Sequence, residues 1–220
     1  MAVKVISIEG NIGSGKSTLL SHLKQSLSIQ TGQQVIFLQE PVDEWESIKD
    51  EEGNTMIQKF YGNQVKYSFT FQMMAYISRL SLLKRSIENN PNAILITERS
   101  LFTDKFVFAK MLYDSKKIES VEYQIYLKWF DTFANDFPIT NTIYVKTDPT
   151  TCHSRIIKRS RNGESSISLD YLNECHKYHE NMMQAHSNEN HDTLELNGNL
   201  DIADMKEIWL KTITEYITKN

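Results

Sequence analysis

Five short apolar runs rich in β-branched residues alternate with longer segments of helical spacing, and this order limits the chain to few folds. The runs are VKVISI (3–8), QVIFL (34–38), AILIT (93–97), NTIYVKT (141–147) and TLEL (193–196). We predict helices over 16–29, 64–89, 100–113, 119–135, 150–160, 168–187 and 201–218. Alternating strands and helices predict an α/β fold, with a five-stranded parallel sheet flanked by helices on both faces.

Length and composition narrow the class of protein. No repeat, low-complexity tract or linker divides the 220 residues, so we predict a single domain over 1–220. No apolar run reaches the roughly 18 residues that span a membrane. The net charge of −4 argues against a nucleic-acid or membrane-surface partner, because such binders usually carry a basic field. Cys152 and Cys175, without CxxC spacing, and a first strand that begins at Val3 favour a cytoplasmic protein with reduced thiols.

The segment after the first strand carries a phosphate-binding pattern. It reads Gly10-Asn11-Ile12-Gly13-Ser14-Gly15-Lys16-Ser17-Thr18 and fits G-x-x-x-x-G-K-[ST] between a strand and a helix. Backbone N–H groups and the helix N-terminus favour phosphate there. Lys16 is expected to reach the outer phosphates, and the Ser17 hydroxyl to face Mg²⁺. The pattern predicts a nucleoside triphosphate site, but it leaves open where the phosphate is sent.

The ends of the second and third strands supply charged groups to the same crevice, since ligands bind at the carboxyl ends of parallel strands. Glu40 precedes Pro41, which fixes the backbone after the second strand. Glu98-Arg99-Ser100 follow the third strand, where an acid and a guanidinium can assist a metal ion and neutralise transferring charge. The alternatives are a solvated acid at Glu40 and a mere helix start at Glu98 and Ser100.

The predicted helix over 64–89 carries an unusual polar face. Gln72, Ala75, Tyr76 and Arg79 recur at i, i+3, i+4 and i+7 among apolar neighbours. The Gln72 amide, the small side chain of Ala75 and the Arg79 guanidinium, set among apolar neighbours, suit recognition of a planar base. Asp104 is placed to pair with Arg79 and hold its fork. The alternative is a half-solvated polar stripe.

An arginine-rich segment over 155–168 predicts a lid. Arg155 and Arg159 are i, i+4 neighbours, and Arg161 comes just before the breaker Asn162-Gly163. Arginines followed by a polar loop suit a lid that closes over a triphosphate. The alternatives are a solvated charged face and a nucleic-acid contact, which the net charge disfavours.

Four histidines fall at 176, 179, 186 and 191, the first pair spaced i, i+3 on a predicted helix. No cysteine or carboxylate set completes a known metal-ligand pattern beside them. We interpret them as surface histidines rather than metal ligands.

Taken together, these motifs resemble the deoxyribonucleoside kinase family, which includes deoxycytidine, deoxyguanosine and mitochondrial thymidine kinases and the insect multisubstrate enzyme. GNIGSGKST, EPVDEW, SFTFQ, ERS with Asp104, and the arginine lid occur in family order over about residues 3–187. The resemblance implies a P-loop kinase fold and transfer of the γ-phosphate of ATP to the 5′-hydroxyl of a deoxynucleoside. It also implies a homodimer, for which 100–113 and 119–135 are candidate faces, and inhibition by the end-product triphosphate.

The resemblance further implies roles for single positions. Glu40 resembles the base that accepts the 5′-hydroxyl proton, Arg99 its neighbour, and Glu98 the acid that helps Ser17 hold Mg²⁺. Tyr61 and Glu164 resemble the pair that hydrogen-bonds the 3′-hydroxyl. The remaining substrate residues it implies are the base-reading set Gln72, Arg79 and Asp104, the aromatic clamp Phe71 and Phe108, and Trp45 and Ala75. Arg155, Arg159 and Arg161 resemble lid arginines, and Asn197-Gly198-Asn199 approximates the loop that contacts the donor base.

Substrate choice and rival functions follow from the same residues. Thymidine-preferring members carry apolar residues where this chain has Arg79 and Asp104, so we predict deoxycytidine or a purine deoxynucleoside as substrate and thymidine as a poor one. A thymidylate-type monophosphate kinase needs cations for its acceptor phosphate, whereas Glu40 suits an uncharged hydroxyl. A nucleotide-binding switch would carry an NKxD motif, which the sequence lacks.

Overall fold

A single parallel sheet organises the described part of the chain, which in this computed structural model comprises residues 3–27, 33–159, 164–189 and 191–219. Its strands are β1 (Lys4–Glu9), β2 (Val35–Leu38), β3 (Ile94–Glu98), β4 (Asn141–Lys146) and β5 (Thr193–Asn197). They lie in the order β2-β3-β1-β4-β5, and every pairing is parallel. The predicted α/β fold with a five-stranded parallel sheet is confirmed.

Helices connect and cover the strands. They are α1 (Lys16–Ser26), α2 (Val42–Ser47), α3 (Met56–Gly62), α4 (Gln64–Asn89), α5 (Leu101–Thr103), α6 (Lys110–Asp114), α7 (Ser120–Phe133), α8 (Pro149–Arg159), α9 (Leu169–Asn188) and α10 (Ile202–Lys219). A π-helical stretch, Asp104–Ala109, joins α5 to α6, and 3₁₀ turns cover Ala134–Asp136 and Glu164–Ser166. Within the described residues, no helix is both long and apolar enough to cross a membrane.

The two faces of the sheet are buried by different helices. Because successive side chains of a strand point to opposite faces, Ile6 and Ile8 of β1 pack in one cluster with residues of α1 and α10. Val5 faces the other way and packs with residues of α4 and α7. Burial on both sides explains why the strands read as continuous apolar runs.

The sheet order brings the predicted charged groups to one edge. In the register, Ile8 of β1 lies opposite Glu98 of β3, and Leu38 of β2 lies opposite Thr97 of β3. The three strands therefore end side by side, with the glycine-rich loop after β1, Glu40 after β2 and Arg99 after β3. This edge is where the site lies.

Candidate active site

The loop between β1 and α1 packs closely against the backbone of neighbouring elements. Gly10 and Gly13 have φ angles of 145° and 78°, in the region that favours glycine. A Cβ at Gly13 would lie 2.6 Å from the Cys152 carbonyl oxygen, and one at Gly10 would lie 2.6 Å from that of Val145. Asn11 anchors the loop by donating from Nδ2 to the Leu172 carbonyl at 2.9 Å. The glycines are thus required by close packing as well as by φ.

Lys16 lies folded against this loop. Its Nζ donates to the Asn11 carbonyl at 2.7 Å and to Ser14 Oγ at 3.4 Å, and the side chain is buried. Burial, and then the positive charge of Arg99, lower the pKa of Lys16 to about 7. An anion at the loop would offset both effects, so the lysine is matched to phosphate oxygens.

Ser17 and Glu98 form the pair expected to hold a metal ion. The Ser17 hydroxyl donates to Glu98 Oε1 at 2.6 Å. Glu98 Oε2 is buried and has no hydrogen-bond partner within the described ranges. Hydroxyl and carboxylate oxygens are hard ligands of the kind that Mg²⁺ prefers, and such sites usually complete the shell with water and phosphate. These two residues therefore fit the ion that the loop pattern implies.

Glu40 is held by two guanidinium groups. Arg99 Nη1 lies 2.7 Å from each Glu40 carboxylate oxygen, and Arg79 Nη2 donates to Oε1 at 2.9 Å. Burial raises the pKa of Glu40, but Arg99 and Arg79 outweigh it and lower the pKa to about 2. The side chain is 13% exposed, so the alternative of a solvated acid at a turn is wrong.

Arg79 also forms the ion pair expected with Asp104. Its Nε donates to Asp104 Oδ2 at 2.9 Å, and its Nη1 donates to the Glu98 carbonyl at 2.9 Å. Burial raises the pKa of Asp104 to about 6 although Arg79 opposes the change, so the carboxyl is mostly ionised at pH 7. Through Arg79, the proposed base-reading pair is coupled to Glu40.

Arg99 adopts a strained backbone at the end of β3. Its φ of 63° is unusual for a residue other than glycine, and such conformations cost about 1–3 kcal/mol. The backbone is held because Arg99 N donates to the Ile8 carbonyl at 3.0 Å and Thr97 Oγ1 donates to the Arg99 carbonyl at 2.8 Å. Ser100 does serve the helix start, since its hydroxyl accepts from Thr103 N.

One cavity of about 530 Å³ opens between the loop and these charges. It is lined by every residue predicted to bind substrate, namely Glu40, Trp45, Tyr61, Phe71, Gln72, Ala75, Arg79, Arg99, Asp104, Phe108 and Glu164. From the glycine-rich loop and its helix, Ile12, Gly13, Gly15, Lys16, Ser17 and Thr18 reach it as well. The phosphate-binding and base-reading motifs thus face the same space.

The aromatic wall of the cavity is held by a hydrogen bond and by contacts between rings. Trp45 Nε1 donates to Ser78 Oγ at 2.8 Å, and the Trp45 ring meets Phe71 edge-on at 5.7 Å between centroids. Phe60 stacks on the other side of Phe71 at 4.5 Å. Buried Gln72 Oε1 has no partner among residues that the structure describes, so an acceptor is available to a ligand beside flat apolar walls.

Two of the three arginines of the predicted lid, Arg155 and Arg159, lie within the described residues. Arg155 Nη1 donates to the carbonyls of Gly198 at 2.8 Å and Ser14 at 3.3 Å, which ties α8 to the glycine-rich loop and to the loop after β5. Arg159 Nε donates to Glu164 Oε2 at 3.0 Å. Arg161 lies outside the described residues. Arg155 and Arg159 both line the cavity.

Two residues differ from the sequence analysis. Tyr76 shares the predicted face of α4 but packs against Tyr126 and Phe130 rather than lining the cavity. His179 is fully buried, with Nδ1 2.7 Å from the Cys175 carbonyl, so the surface interpretation is wrong for this histidine. Burial lowers its pKa to about 3. Among the described residues, no His, Cys, Asp and Glu cluster is suited to a metal ion.

Some lining residues were not predicted, namely Val42, Ile57, Phe60, Lys158, Tyr171 and Asp201. Ile57 and Phe60 lie on α3, a short helix absent from the prediction. Its signal was present, since Thr55 and Gln58 form a capping box at its start.

A loop built for phosphate, a flat apolar slot with polar groups at its edge, and an ionised carboxylate between them define a class of protein. They describe a nucleoside-triphosphate-dependent kinase that acts on a small, base-containing acceptor. Because a base-binding subsite faces the phosphate-binding loop, the phosphate is sent to an acceptor that contains a base.

Comparison with known proteins identifies the family. The sequence matches the deoxynucleoside kinase family over residues 6–218, and the chain belongs to that family. It is 36% identical to a protein named probable deoxycytidine kinase from fowlpox virus, over 91% of this chain and 81% of that one. It is 33% identical to human deoxycytidine kinase, over 98% and 92%. The mitochondrial deoxyguanosine kinase of Xenopus laevis is 29% identical, over 83% and 74%. The protein is therefore an ATP-dependent deoxynucleoside kinase with the P-loop kinase fold.

Proposed function

We propose that this kinase phosphorylates deoxycytidine or a purine deoxynucleoside in preference to thymidine, and that residues 1–220 act as a single kinase domain. The Arg79–Asp104 ion pair carries the proposal, because it places a buried carboxylate and a guanidinium in the nucleoside cavity. Cytosine and adenine present an exocyclic amine from which a carboxylate can accept a hydrogen bond, at the edge where thymine presents a carbonyl and a methyl group. Guanine presents the acceptors O6 and N7 at that edge, and these suit the Arg79 guanidinium. A thymine base would leave buried polar groups unpaired.

The proposed mechanism moves the γ-phosphoryl group of ATP to the 5′-hydroxyl oxygen. Glu40 accepts a hydrogen bond from that hydroxyl and takes its proton, while Arg99 and Lys16 neutralise developing charge. Mg²⁺, held by Ser17 and Glu98, would neutralise charge on the phosphates. Because a carboxylate whose pKa is about 2 is a weak base, Glu40 acts first by orienting the hydroxyl, and the proton moves late. Orientation and charge account for most of the catalysis in phosphoryl transfer.

A thymidylate-type monophosphate kinase is the nearest rival. Its acceptor carries a phosphate, which would meet an ionised Glu40 instead of a free cation. Arg79 and Arg99 are already paired with that carboxylate. The acceptor side therefore favours an uncharged hydroxyl.

We further propose that the enzyme is a homodimer. Val121, Ile125, Trp129 and Phe133 recur every four residues along α7 and remain 41–58% exposed. Phe106, on the adjoining π-helical stretch, is also exposed. A continuous apolar strip of this kind usually marks a protein interface, and a second copy of the chain would bury it.

A cytoplasmic location is proposed from the thiols. Cys152 and Cys175 are both buried and unpaired, and burial raises their pKa values to about 11 and about 12. Unreactive thiols without disulfides are typical of a reducing compartment.

The test is a substrate panel. Purified protein is incubated with Mg-ATP and, separately, with each of the four deoxynucleosides and with dTMP, and the 5′-phosphorylated products are quantified. We expect the highest kcat/KM with deoxycytidine or a purine deoxynucleoside, and poor turnover of thymidine and dTMP. Comparable kcat/KM for thymidine and deoxycytidine would remove the substrate preference, and product from dTMP alone would favour the rival.

A further inference from the structure

A second cavity, of about 290 Å³, lies directly behind the nucleoside cavity. Of its described lining residues, only Tyr61 and Tyr171 also line the first cavity. These two rings therefore form the partition between the two spaces.

The Tyr171 ring is fixed in this partition by contacts around its rim. It meets the Tyr61 ring edge-on, with centroids 6.2 Å apart and planes at 84°. The ring is buried beside Cys175, one helical turn further along α9, and burial raises the pKa of the Tyr171 hydroxyl well above its usual value. On the side of the second cavity, Lys117 Nζ lies 5.9 Å from the ring centroid. The Tyr171 ring is thus contacted by the Tyr61 ring and, on the side of the second cavity, by Lys117.

The partition stands on one particular side of the nucleoside site. Tyr61 and Glu164 are the residues that we assign to the sugar 3′-hydroxyl. Ser166, Ile167 and Ser168, which begin two residues after Glu164, line the second cavity. The second cavity therefore begins where the 3′ side of the sugar would end.

The second cavity is lined by both apolar groups, such as Met111 and Ile167, and polar ones. Gln64 accepts a hydrogen bond from Lys117 Nζ at 2.6 Å within its lining. Asp170 and Glu174 contribute carboxylates at its exposed rim. A partly polar space of this size holds water, which an incoming substituent can displace.

We propose that Tyr171, together with Tyr61, sets the size limit on the 3′ side of the substrate, and that removing the Tyr171 ring admits 3′-O-alkyl deoxynucleosides by opening the site into the second cavity. This inference rests on the proposed function of the first cavity. The proposal concerns substrate specificity: the Tyr61 and Tyr171 rings of the wild type exclude a substituent on the 3′ oxygen. They take no part in the chemistry at the 5′-hydroxyl.

The experiment compares kcat/KM for a 3′-O-methyl deoxynucleoside with that for its unsubstituted parent, the parent being the best substrate of the wild type. Tyr171→Ala is expected to raise this ratio about tenfold or more, since one methylene-sized group in a pocket changes kcat/KM by roughly 10–200-fold. Tyr171→Phe keeps the ring and removes only the hydroxyl, so its ratio is expected to match the wild type. Tyr171→Leu provides a second opened variant in case the alanine variant does not fold.

The possible outcomes distinguish a failure of the Tyr171 proposal from a failure of the proposed function. A higher ratio in Tyr171→Ala or Tyr171→Leu, but not in Tyr171→Phe, supports the Tyr171 proposal. An unchanged ratio in an opened variant that still phosphorylates the parent overturns it, as does an equal rise in Tyr171→Phe. Loss of parent turnover in both opened variants, with thermal unfolding like that of the wild type, also overturns it, because Tyr171 would then serve the parent substrate itself. If the wild type phosphorylates no deoxynucleoside at all, the proposed function fails instead.

Discussion

At the scale of single residues, the electrostatics of the site depend on the ion pairs that Glu40 forms. The carboxylate is paired with Arg99 on one side and with Arg79 on the other. Arg79 is itself paired with Asp104. Removing one member of such a buried set leaves the others uncompensated, so substitutions here are expected to affect turnover more than folding of distant parts.

Replacing Glu40 by Gln tests its role in turnover. We expect kcat to fall by about 10²–10⁴, because the amide can neither take a proton nor hold Arg99 by charge. ATP binding should survive, since the loop after β1 is unchanged. Steady-state kinetics with titrated ATP gives both values. The control is Glu44→Gln, which makes the same charge change at an exposed residue of α2, away from Arg79 and Arg99, and should behave like the wild type. Equal turnover in the two variants would remove Glu40 from the mechanism.

The pH profile should report Asp104 rather than Glu40. Burial raises the pKa of Asp104 to about 6, while the arginines lower that of Glu40 to about 2. The ionised form of Asp104 holds Arg79, so kcat/KM should fall as the pH drops through about 6. A separate decline above pH 7 would report loss of the Lys16 proton, because burial and Arg99 lower the pKa of that lysine to about 7. Rates measured from pH 5 to 8 test this. The acidic limb should vanish in Asp104→Asn, and a limb that persists there contradicts the assignment.

Much of the site could be predicted residue by residue, but the coupling between those residues could not. Glu40, Arg79 and Asp104 were each assigned a role from the sequence, and the Arg79–Asp104 pair was expected. The bond from Arg79 to Glu40 was not, because it depends on how the second half of α4 faces the end of β2. His179 shows the same limit: its i, i+3 spacing from His176 does not reveal which face of α9 is buried.

At the scale of elements, the apolar strands and the long helices were predicted, and the short helices were missed. All five strands and the long helix α4 lie within a residue or two of the prediction. Helices α2 and α3, of six and seven residues, were missed because too few turns are present to show a period. The helix predicted over 100–113 is interrupted by the π-helical stretch Asp104–Ala109, which begins at the residue that pairs with Arg79.

The loop after β1 gives a prediction at this scale. Gly13→Ala should weaken ATP binding at least about tenfold and lower stability by about 1–3 kcal/mol, because φ is 78° and the new Cβ would meet the Cys152 carbonyl. Gly62→Ala is the matched control, since a Cβ there meets nothing within 4 Å. Thermal unfolding and the KM for ATP provide the comparison. Normal ATP affinity in Gly13→Ala would show that the loop tolerates a shift away from α8.

At the scale of the whole molecule, α4 lies between the cavity and α7, the helix that carries the proposed dimer surface. The face of α4 that carries Gln72 and Arg79 lines the cavity, while Tyr76 of the same helix packs against Tyr126 and Phe130 of α7. The exposed strip of α7 lies on its other side. Covering that strip would therefore support the layer that holds the base-reading residues, without entering the cavity.

Trp129→Glu tests this assembly. The wild type should elute as a species of twice the 25.6 kDa chain mass. The variant should be a monomer at the same concentration, because burying an unpaired charge in an apolar interface costs about 3–5 kcal/mol. Size-exclusion chromatography with light scattering measures both. Ile208→Glu places the same charge at an exposed apolar residue of α10 and should remain a dimer. A dimeric Trp129→Glu would mean that another surface joins the subunits, and a monomeric wild type would overturn the proposed homodimer.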